Sequence, residues 1–317
     1  MKVLVAIDNQ PSSQATIDAL IKMHWSEGTE IDLVTVFPHG AETVVIDGQI
    51  TTSIAEMEKL AAELRNALRH CEVTFIAGKG DPKTVILDLA EQNHADLIVV
   101  GSNCKSTLER LLLGSVSQSI LNAAKCPVIV AKTPCCLAQE ASPGFRNILV
   151  PVDNSVYTDV AVRWLVNFHW APETRIIVAA AVGENTDLAD VRQSLERRAR
   201  EISRLLHTNN VTVEMVKGQP EQAIVNLAEK HYADLILIGS HGHSGFKKMI
   251  LGSVSHAVSQ AAPCAVAIVR GLAAADQTWH RTGAFKKVEP VFTSPGPSVR
   301  VEKERRDISA HIMPGGF

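Results

Sequence analysis

The 317-residue sequence has few aromatic residues and no large excess of charge of either sign. Phenylalanine, tryptophan and tyrosine make up 4% of the chain, whereas hydrophobic residues as a whole make up 46%. The apolar mass is therefore mainly valine, isoleucine, leucine and alanine, which suits buried parallel strands covered by helices. Acids and bases are well mixed and the net charge is −3, so the sequence shows no electrostatic footprint for nucleic acid or for an anionic membrane.

Long apolar runs and closely paired cysteines are also missing. No hydrophobic stretch approaches the length of a membrane span, and residues 1–8 indicate a strand, not a signal peptide. The six cysteines form no C-x-x-C pair and no zinc-site spacing. We expect Cys126 and Cys264 to be buried and Cys104 to lie in an open loop. The sequence thus predicts a cytoplasmic protein with free thiols and neither nucleic acid nor membrane as a partner.

The sequence contains an internal repeat. Several segments of its first half recur in the same order in its second half, and from residue 80 to residue 132 the offset stays at 138 without a gap. The matching segments are VLVAIDN at 3–9 with ILVPVDN at 148–154, GDP at 80–82 with GQP at 218–220, ADLIVVGS at 95–102 with ADLILIGS at 233–240, and LGSVS at 113–117 and 251–255. Four ordered matches predict two tandem domains. We place them at 1–133 and 145–271, with a linker at 134–144 and a polar tail, largely unpacked or draped on the surface, at 272–317.

Within each copy, short β-branched strands alternate with helices. For the second copy the pattern predicts strands at 147–152, 174–182, 211–216, 234–238 and 265–269, and helices at 158–168, 188–206, 220–231 and 253–260. Such alternation predicts an α/β fold with a parallel sheet covered on both faces. Ligands of these sheets bind at the carboxyl ends of the strands, where the strand order reverses.

Three features of the second copy meet at these strand ends. Asp153 ends the first strand, the glycine-rich loop 239–245 follows the fourth, and Gly252-Ser253 opens the next helix. Glycines let backbone N–H groups approach a phosphate, and a helix N-terminus adds donors and the positive end of a dipole. The Ser253 hydroxyl can cap the helix or bind phosphate. The alternative for Asp8 and Asp153 is that they only cap the following helices.

The spacing Gly239-x2-Gly242-x9-Gly252-Ser253 resembles the nucleotide-binding signature of the universal stress protein family, in its tandem form. The resemblance implies two doubly wound, Rossmann-like domains of the adenine nucleotide alpha hydrolase-like type, each with a five-stranded parallel sheet of order 3-2-1-4-5. It also implies that Asp153 and backbone near Val182 face an adenine base. The residues that would take ribose and phosphates are Gly239, Gly242, Gly252 and Ser253. Pairing through the last strands would give an internal pseudo-dimer and a possible homodimer.

The first copy departs from this signature. Cys104 stands where the second glycine belongs, while the other positions are kept, namely Asp8, Gly101, Gly114 and Ser115. If that glycine needs positive φ, a residue with a Cβ costs about 1–2 kcal/mol there. We therefore expect the first copy to bind poorly or not at all.

Three functions fit the sequence: a regulatory protein that binds ATP, with or without Mg²⁺, mainly in the second domain; an interaction protein without nucleotide; and a slow ATPase. The chain has no G-x4-G-K-[ST] loop, and although Lys247 and Lys248 follow the glycine loop, no catalytic base is evident. His241 and His243 have no spaced partner to complete a metal site. We therefore assign no catalytic or metal-binding residue.

Overall fold

The computed structural model describes residues 1–8, 13–37, 49–102, 113–132, 144–153, 155–184, 186–242, 251–270 and 292–294. The predicted linker, except its last residue, and the predicted tail, except 292–294, lie outside these ranges.

Eleven strands are present in the described part of the chain, most of them short and rich in valine and isoleucine. They are Lys2–Ala6 (β1), Thr29–Phe37 (β2), Cys71–Lys79 (β3), Leu97–Gly101 (β4), Val128–Ala131 (β5), Asn147–Pro151 (β6), Arg175–Val182 (β7), Val211–Lys217 (β8), Leu235–Gly239 (β9), Ala265–Val269 (β10) and Phe292–Ser294 (β11).

Helices separate the strands of each repeat. They are Ser13–Lys22 (α1), Gln49–Ala67 (α2), Pro82–Gln92 (α3), Ser115–Ala123 (α4), Val156–Trp164 (α5), Leu188–Leu206 (α6), Pro220–Lys230 (α7) and Ser253–Ala261 (α8), with a 3-10 turn at Leu165–Asn167. Pro82 and Pro220 occupy the first turns of α3 and α7, where the missing N–H removes no helical bond. The glycines before them, Gly80 and Gly218, have φ of 134° and 131°, a conformation that glycine adopts readily.

All eleven strands belong to one sheet of order β11-β3-β2-β1-β4-β5-β10-β9-β6-β7-β8. Each repeat therefore has the predicted order 3-2-1-4-5, with its five strands parallel. Side chains alternate across the sheet: Val3 and Val5 pack in one core cluster and Leu4 in the other. The first cluster lies under α1, α2, α5 and α6, and the second under α3, α4, α7 and α8. Both faces are thus covered, as a sheet of this kind requires.

The two domains meet through equivalent residues. β5 and β10 pair antiparallel, with Ile129 opposite Ala267, and these two positions are 138 apart, which is the offset of the repeat. A second antiparallel bridge joins His24 to His169. Each of these histidines precedes a tryptophan in the equivalent turn of its own repeat. Equivalent residues that face each other define a local two-fold axis, so the two domains of one chain are arranged as a symmetric pair.

Part of the tail is packed as a strand. β11 pairs antiparallel with β3, with Thr293 opposite Ile76, so the tail closes one edge of the sheet. The opposite edge, β8, carries Glu214, which binds Lys230 and His231 at 2.5 and 2.6 Å. Burial alone would raise the pKa of Glu214, but these hydrogen bonds hold that pKa below its ordinary value. The charged edge resists further strand pairing, whereas the β3 edge is apolar and covered by β11.

Removing β11 should leave the β3 edge unpaired and cause the chains to associate through it. A chain that ends at residue 270 exposes the backbone of Phe75, Ile76 and Ala77, and we expect it to form larger species than the full chain in light scattering coupled to size-exclusion chromatography. A chain that ends at residue 294 keeps β11 and is the matched control. The prediction is wrong if both shortened chains have the molar mass of the full chain.

Candidate functional site

A cavity of about 310 Å³ lies at the carboxyl ends of β6, β7 and β9. Pockets for small ligands span about 300–1,000 Å³, so this one is within the range. Its lining contains five of the six residues predicted for the second domain: Asp153, Gly239, Gly242, Gly252 and Ser253. Strand ends, a loop and a helix start therefore meet at one cavity, as the sequence predicts.

Asp153 is held in place by the start of α5. Its Oδ1 accepts hydrogen bonds from the Ser155 amide, the Ser155 hydroxyl and the Thr158 hydroxyl, at 3.0, 2.5 and 2.8 Å. Ser155, not Asp153, is the N-cap residue of α5, so the capping interpretation of this aspartate is wrong in that form. No donor among the described residues bonds Oδ2, which faces Gly242. One carboxylate oxygen therefore orients the side chain, and the other is available to a ligand.

Glycine at position 242 is needed because of a close contact with Asp153, and not because of a positive φ. No positive φ is found at Gly242; the positive-φ glycines of the described residues are Gly28, Gly80, Gly144 and Gly218. A Cβ at Gly242 would instead lie 2.8 Å from Asp153 Oδ2, closer than carbon and oxygen can approach. A residue with a side chain here must displace the aspartate or the loop.

Gly239 is required by packing. A Cβ at this position would lie 2.8–2.9 Å from the Cβ, C and O atoms of Tyr157, so glycine lets α5 approach β9. The Tyr157 ring in turn packs against His241, with ring centroids 5.0 Å apart. Gly239 thus lines the cavity but also serves the fold, and His241 lies at the cavity wall. His243 lies outside the described residues.

Helix α8 points its N-terminus at the cavity. Gly252 is the N-cap residue, and no side chain caps the helix there, so the structure contradicts the idea that Ser253 is the cap. A Cβ on Gly252 would lie 3.1 Å from the Ser240 carbonyl oxygen. Glycine at this position therefore allows the loop to pack closely against the start of the helix. Ser253 is exposed and lines the cavity with Val254 and Ser255. The first amides of a helix have no intrahelical acceptor, so this end of the cavity suits an anion.

The cavity lining leaves out one predicted position and includes residues that were not predicted. Val182 is 3% exposed and does not line the cavity; its carbonyl accepts a hydrogen bond from the Gly218 amide at 3.2 Å. Ala179 and Ala181, earlier on the same strand, line the cavity instead, because alternate residues of a strand share a face. Sequence reasoning also missed Thr158, although a hydroxyl follows the aspartate by five residues in both repeats: Ser13 Oγ donates to Asp8 Oδ1 at 2.7 Å.

The first domain has a corresponding but smaller cavity, of about 180 Å³. It is lined by the residues predicted for that domain, Asp8, Gly101, Gly114 and Ser115, together with apolar residues such as Val34 and Ile86. Gly114 caps α4 with φ −62° and ψ 155°, close to the −62° and 150° of Gly252. The helix start is thus kept in both domains. Cys104 lies outside the described residues.

A larger hollow, of about 570 Å³, does not suit an anion. It lies at the amino end of β7, beside Thr174 and Ile176, and includes Leu205 and Leu206 from the last turn of α6. Helix C-termini present carbonyl oxygens and the negative end of the dipole. The hollow therefore lacks the backbone donors that the cavity of the second domain offers to a phosphate.

The described ranges lack a cluster of metal ligands, and their cysteines are buried. They contain no group of three or more histidine, cysteine, aspartate or glutamate side chains placed to hold a metal ion. Cys126 and Cys264 are buried, as expected. Burial raises the pKa of Cys126 to about 12 and that of Cys71 to about 11, so both thiols stay protonated at neutral pH.

Comparison with known proteins agrees with this geometry. The model of the universal stress protein family matches residues 1–132 and again residues 144–270. The chain belongs to the universal stress protein family. Its two family domains coincide with the two halves of the sheet, and the tandem form is the one that the repeat predicts.

Among relatives, a universal stress protein of Mycolicibacterium smegmatis is 27% identical over 84% of this chain and 96% of its own length. One from Mycobacterium tuberculosis is 27% identical over 68% of this chain and 75% of its own. The crystal structure of a universal stress protein from Archaeoglobus fulgidus superposes with a TM-score of 0.65, at 24% identity, over 85% of this chain and 98% of that one. This likeness confirms the α/β fold of the universal stress protein. Among the described residues, no helix is long and apolar enough to cross a membrane.

Proposed function

We propose that this universal stress protein is a stress-response regulator that binds an adenine nucleotide, ATP foremost, mainly in its second domain. It acts through a change of conformation or of dimerisation and not through catalysis. The observation that carries the proposal is the convergence of Asp153 Oδ2, Gly242 and the N-terminus of α8 on one cavity.

One end of the cavity is apolar and the other is rich in hydrogen-bond donors, which matches the base and the phosphates of a nucleotide. Ala179, Ile224 and Ile238 form an apolar wall that suits a base. Asp153 Oδ2 can accept a hydrogen bond from an exocyclic amine or from ribose hydroxyls. The amides at the start of α8 and the Ser253 hydroxyl suit phosphates, and Mg²⁺ would accompany those phosphates. The missing Cβ at Gly242 lets the loop approach Asp153, and the missing Cβ at Gly252 lets the helix start approach the loop.

The second domain is favoured over the first on volume and on the glycine pattern. The first cavity, at about 180 Å³, falls below the usual range for ligand pockets. Its loop carries Cys104 at the position of Gly242, where the second domain has no room for a Cβ. We infer that the first domain binds nucleotide weakly or not at all.

Nucleotide released from the purified protein tests the proposal. We expect mass spectrometry of the denatured full chain to find about one adenine nucleotide per chain, or titration with ATP and Mg²⁺ to reach that stoichiometry, because among the described residues the second-domain cavity alone has the complete set of features. Two nucleotides per chain would show that the first domain also binds. No nucleotide and no binding would favour an interaction protein, and fast turnover with metal would favour a hydrolase.

A cytoplasmic location and a homodimer of the two-domain chain belong to the same proposal. Sedimentation velocity with and without ATP tests the dimer. A nucleotide-dependent change in sedimentation coefficient would support regulation through assembly or conformation.

A further inference from the structure

Two basic side chains at the ends of the central strands form hydrogen bonds from one domain to the other. Lys132 follows β5 in the first domain, and its Nζ donates to the backbone oxygens of Gln260 and Ala262, at 2.7 and 2.8 Å. These oxygens belong to the last turn of α8 in the second domain and to its C-cap. Arg270 follows β10 and donates to the Leu121 oxygen in α4 of the first domain. Positions 132 and 270 are 138 apart, so the two donors are equivalent by the repeat and both bind the C-terminal part of the equivalent helix in the other domain.

The last carbonyls of a helix have no intrahelical donor and carry the negative end of its dipole. A buried cation beside them satisfies two carbonyls and is stabilised in return. Lys132 is 7% exposed, so water competes little for these bonds. α8 has nine residues, which is too short for a helix to be stable by itself. Its position therefore depends on its packing in the second core cluster and on the contacts at its two ends.

The two ends of α8 are held by different domains. At the N-terminal end, the Ser255 hydroxyl donates to the Gly239 oxygen at 2.7 Å, within the second domain. At the C-terminal end, the anchor is Lys132 from the first domain. A nine-residue helix is about 13 Å long and moves largely as a rigid rod. A change at one end therefore shifts the amides at the other.

The N-terminal end of α8 is the part of the second cavity that suits phosphate. We propose that Lys132 is a positioning residue for phosphate binding in the second domain, acting across the domain boundary through α8. This inference rests on the proposed function. It gives the first domain a role in the second domain's site that does not require a ligand in its own cavity.

The test is isothermal titration of the full chain with ATP and, separately, with adenosine. Lys132→Met should weaken ATP binding about five-fold, a typical size for coupling between two sites. Adenosine binding should stay unchanged, because the base and ribose contacts do not involve the start of α8. Lys132→Arg should restore ATP affinity, since a guanidinium can also donate to both carbonyls. Lys132→Gln, which keeps a donor and loses the charge, carries the test if Lys132→Met does not fold.

Arg270→Met is the matched control. It removes the equivalent anchor from the same interface, but from α4 of the first domain, and should leave ATP affinity in the second domain unchanged.

Unchanged ATP affinity in folded Lys132→Met would overturn the inference. So would an equal loss of ATP and adenosine binding, or an equal loss in Arg270→Met, because both indicate general loosening of the interface. A wild-type chain that binds neither ligand would overturn the proposed function itself, which is a distinct result.

Discussion

Gly242→Ala is expected to lower the affinity of the second domain for ATP by tenfold or more. The added Cβ would lie 2.8 Å from Asp153 Oδ2, so either the carboxylate or the loop must move. The carboxylate cannot turn away easily, because three hydrogen bonds from Ser155 and Thr158 hold its other oxygen. Both groups that can move belong to the site, and a displacement that costs about 1.4 kcal/mol already reduces binding tenfold.

Isothermal titration with ATP and Mg²⁺ measures this loss. Gly183→Ala is the matched control, because the nearest atom to a Cβ there is Thr186 Oγ1 at an ordinary 3.5 Å. Gly183 does not line the cavity. Thermal unfolding of Gly183→Ala should stay close to that of the wild type, since Gly183 has room for a Cβ and no positive φ. Gly242→Ala should be destabilised by no more than the local clash with Asp153. Unchanged ATP affinity in Gly242→Ala would remove the glycine loop from the site.

The sequence predicts the fold well because each physical signal is local. In the second repeat, α6 and β10 have the predicted bounds, and every other element except α5 differs by at most one residue at either end. The largest differences are in α5, which begins at Val156 because Ser155 is its cap, and which passes into a 3-10 turn before Phe168. Caps and last turns depend on side-chain contacts that a periodic pattern does not contain.

The strand order, unlike the elements, rests on the resemblance to a family, since hydrophobic patterns do not say which parallel strands are neighbours. β11 was missed for a related reason. A three-residue strand within a proline- and glycine-containing tail has no periodicity to detect, and its pairing with β3 becomes visible only in three dimensions.

Site residues could be predicted where a ligand calls for a particular residue type, such as glycine beside a phosphate. They could not be predicted where their role depends on contacts between distant parts of the chain. Glycine at 242 is required, but the cause is the approach of Asp153, 89 positions away in the chain, and not a backbone angle. Backbone near Val182 as a contact of the base stays a prediction; the side chains of this strand that line the cavity are those of Ala179 and Ala181. The contact of Lys132 with α8 has no local signal in the sequence, since it joins residues 128 and 130 positions apart.

Phe168→Ala is expected to reduce the free energy of unfolding by about 3–5 kcal/mol, the range for removal of a buried aromatic side chain. Phe168 is 4% exposed, and its ring contacts Trp164, Trp25 and Trp170 at centroid distances of 4.5, 5.7 and 5.7 Å. Trp25 belongs to the first domain and the other two to the second. The substitution therefore opens a cavity in the aromatic cluster and weakens the domain junction beside the bridge of His24 and His169.

Urea titration followed by tryptophan fluorescence measures both effects, since three of the four tryptophans of the chain surround Phe168. Val166→Ala is the control: its side chain is 48% exposed on the same turn, and its loss should change stability by less than about 0.5 kcal/mol. If the junction couples the domains, the single transition of the wild type should broaden or split in Phe168→Ala, because each domain then unfolds at its own urea concentration. A loss of under about 1 kcal/mol would show that the cluster repacks around the missing ring and that the domain junction does not depend on it.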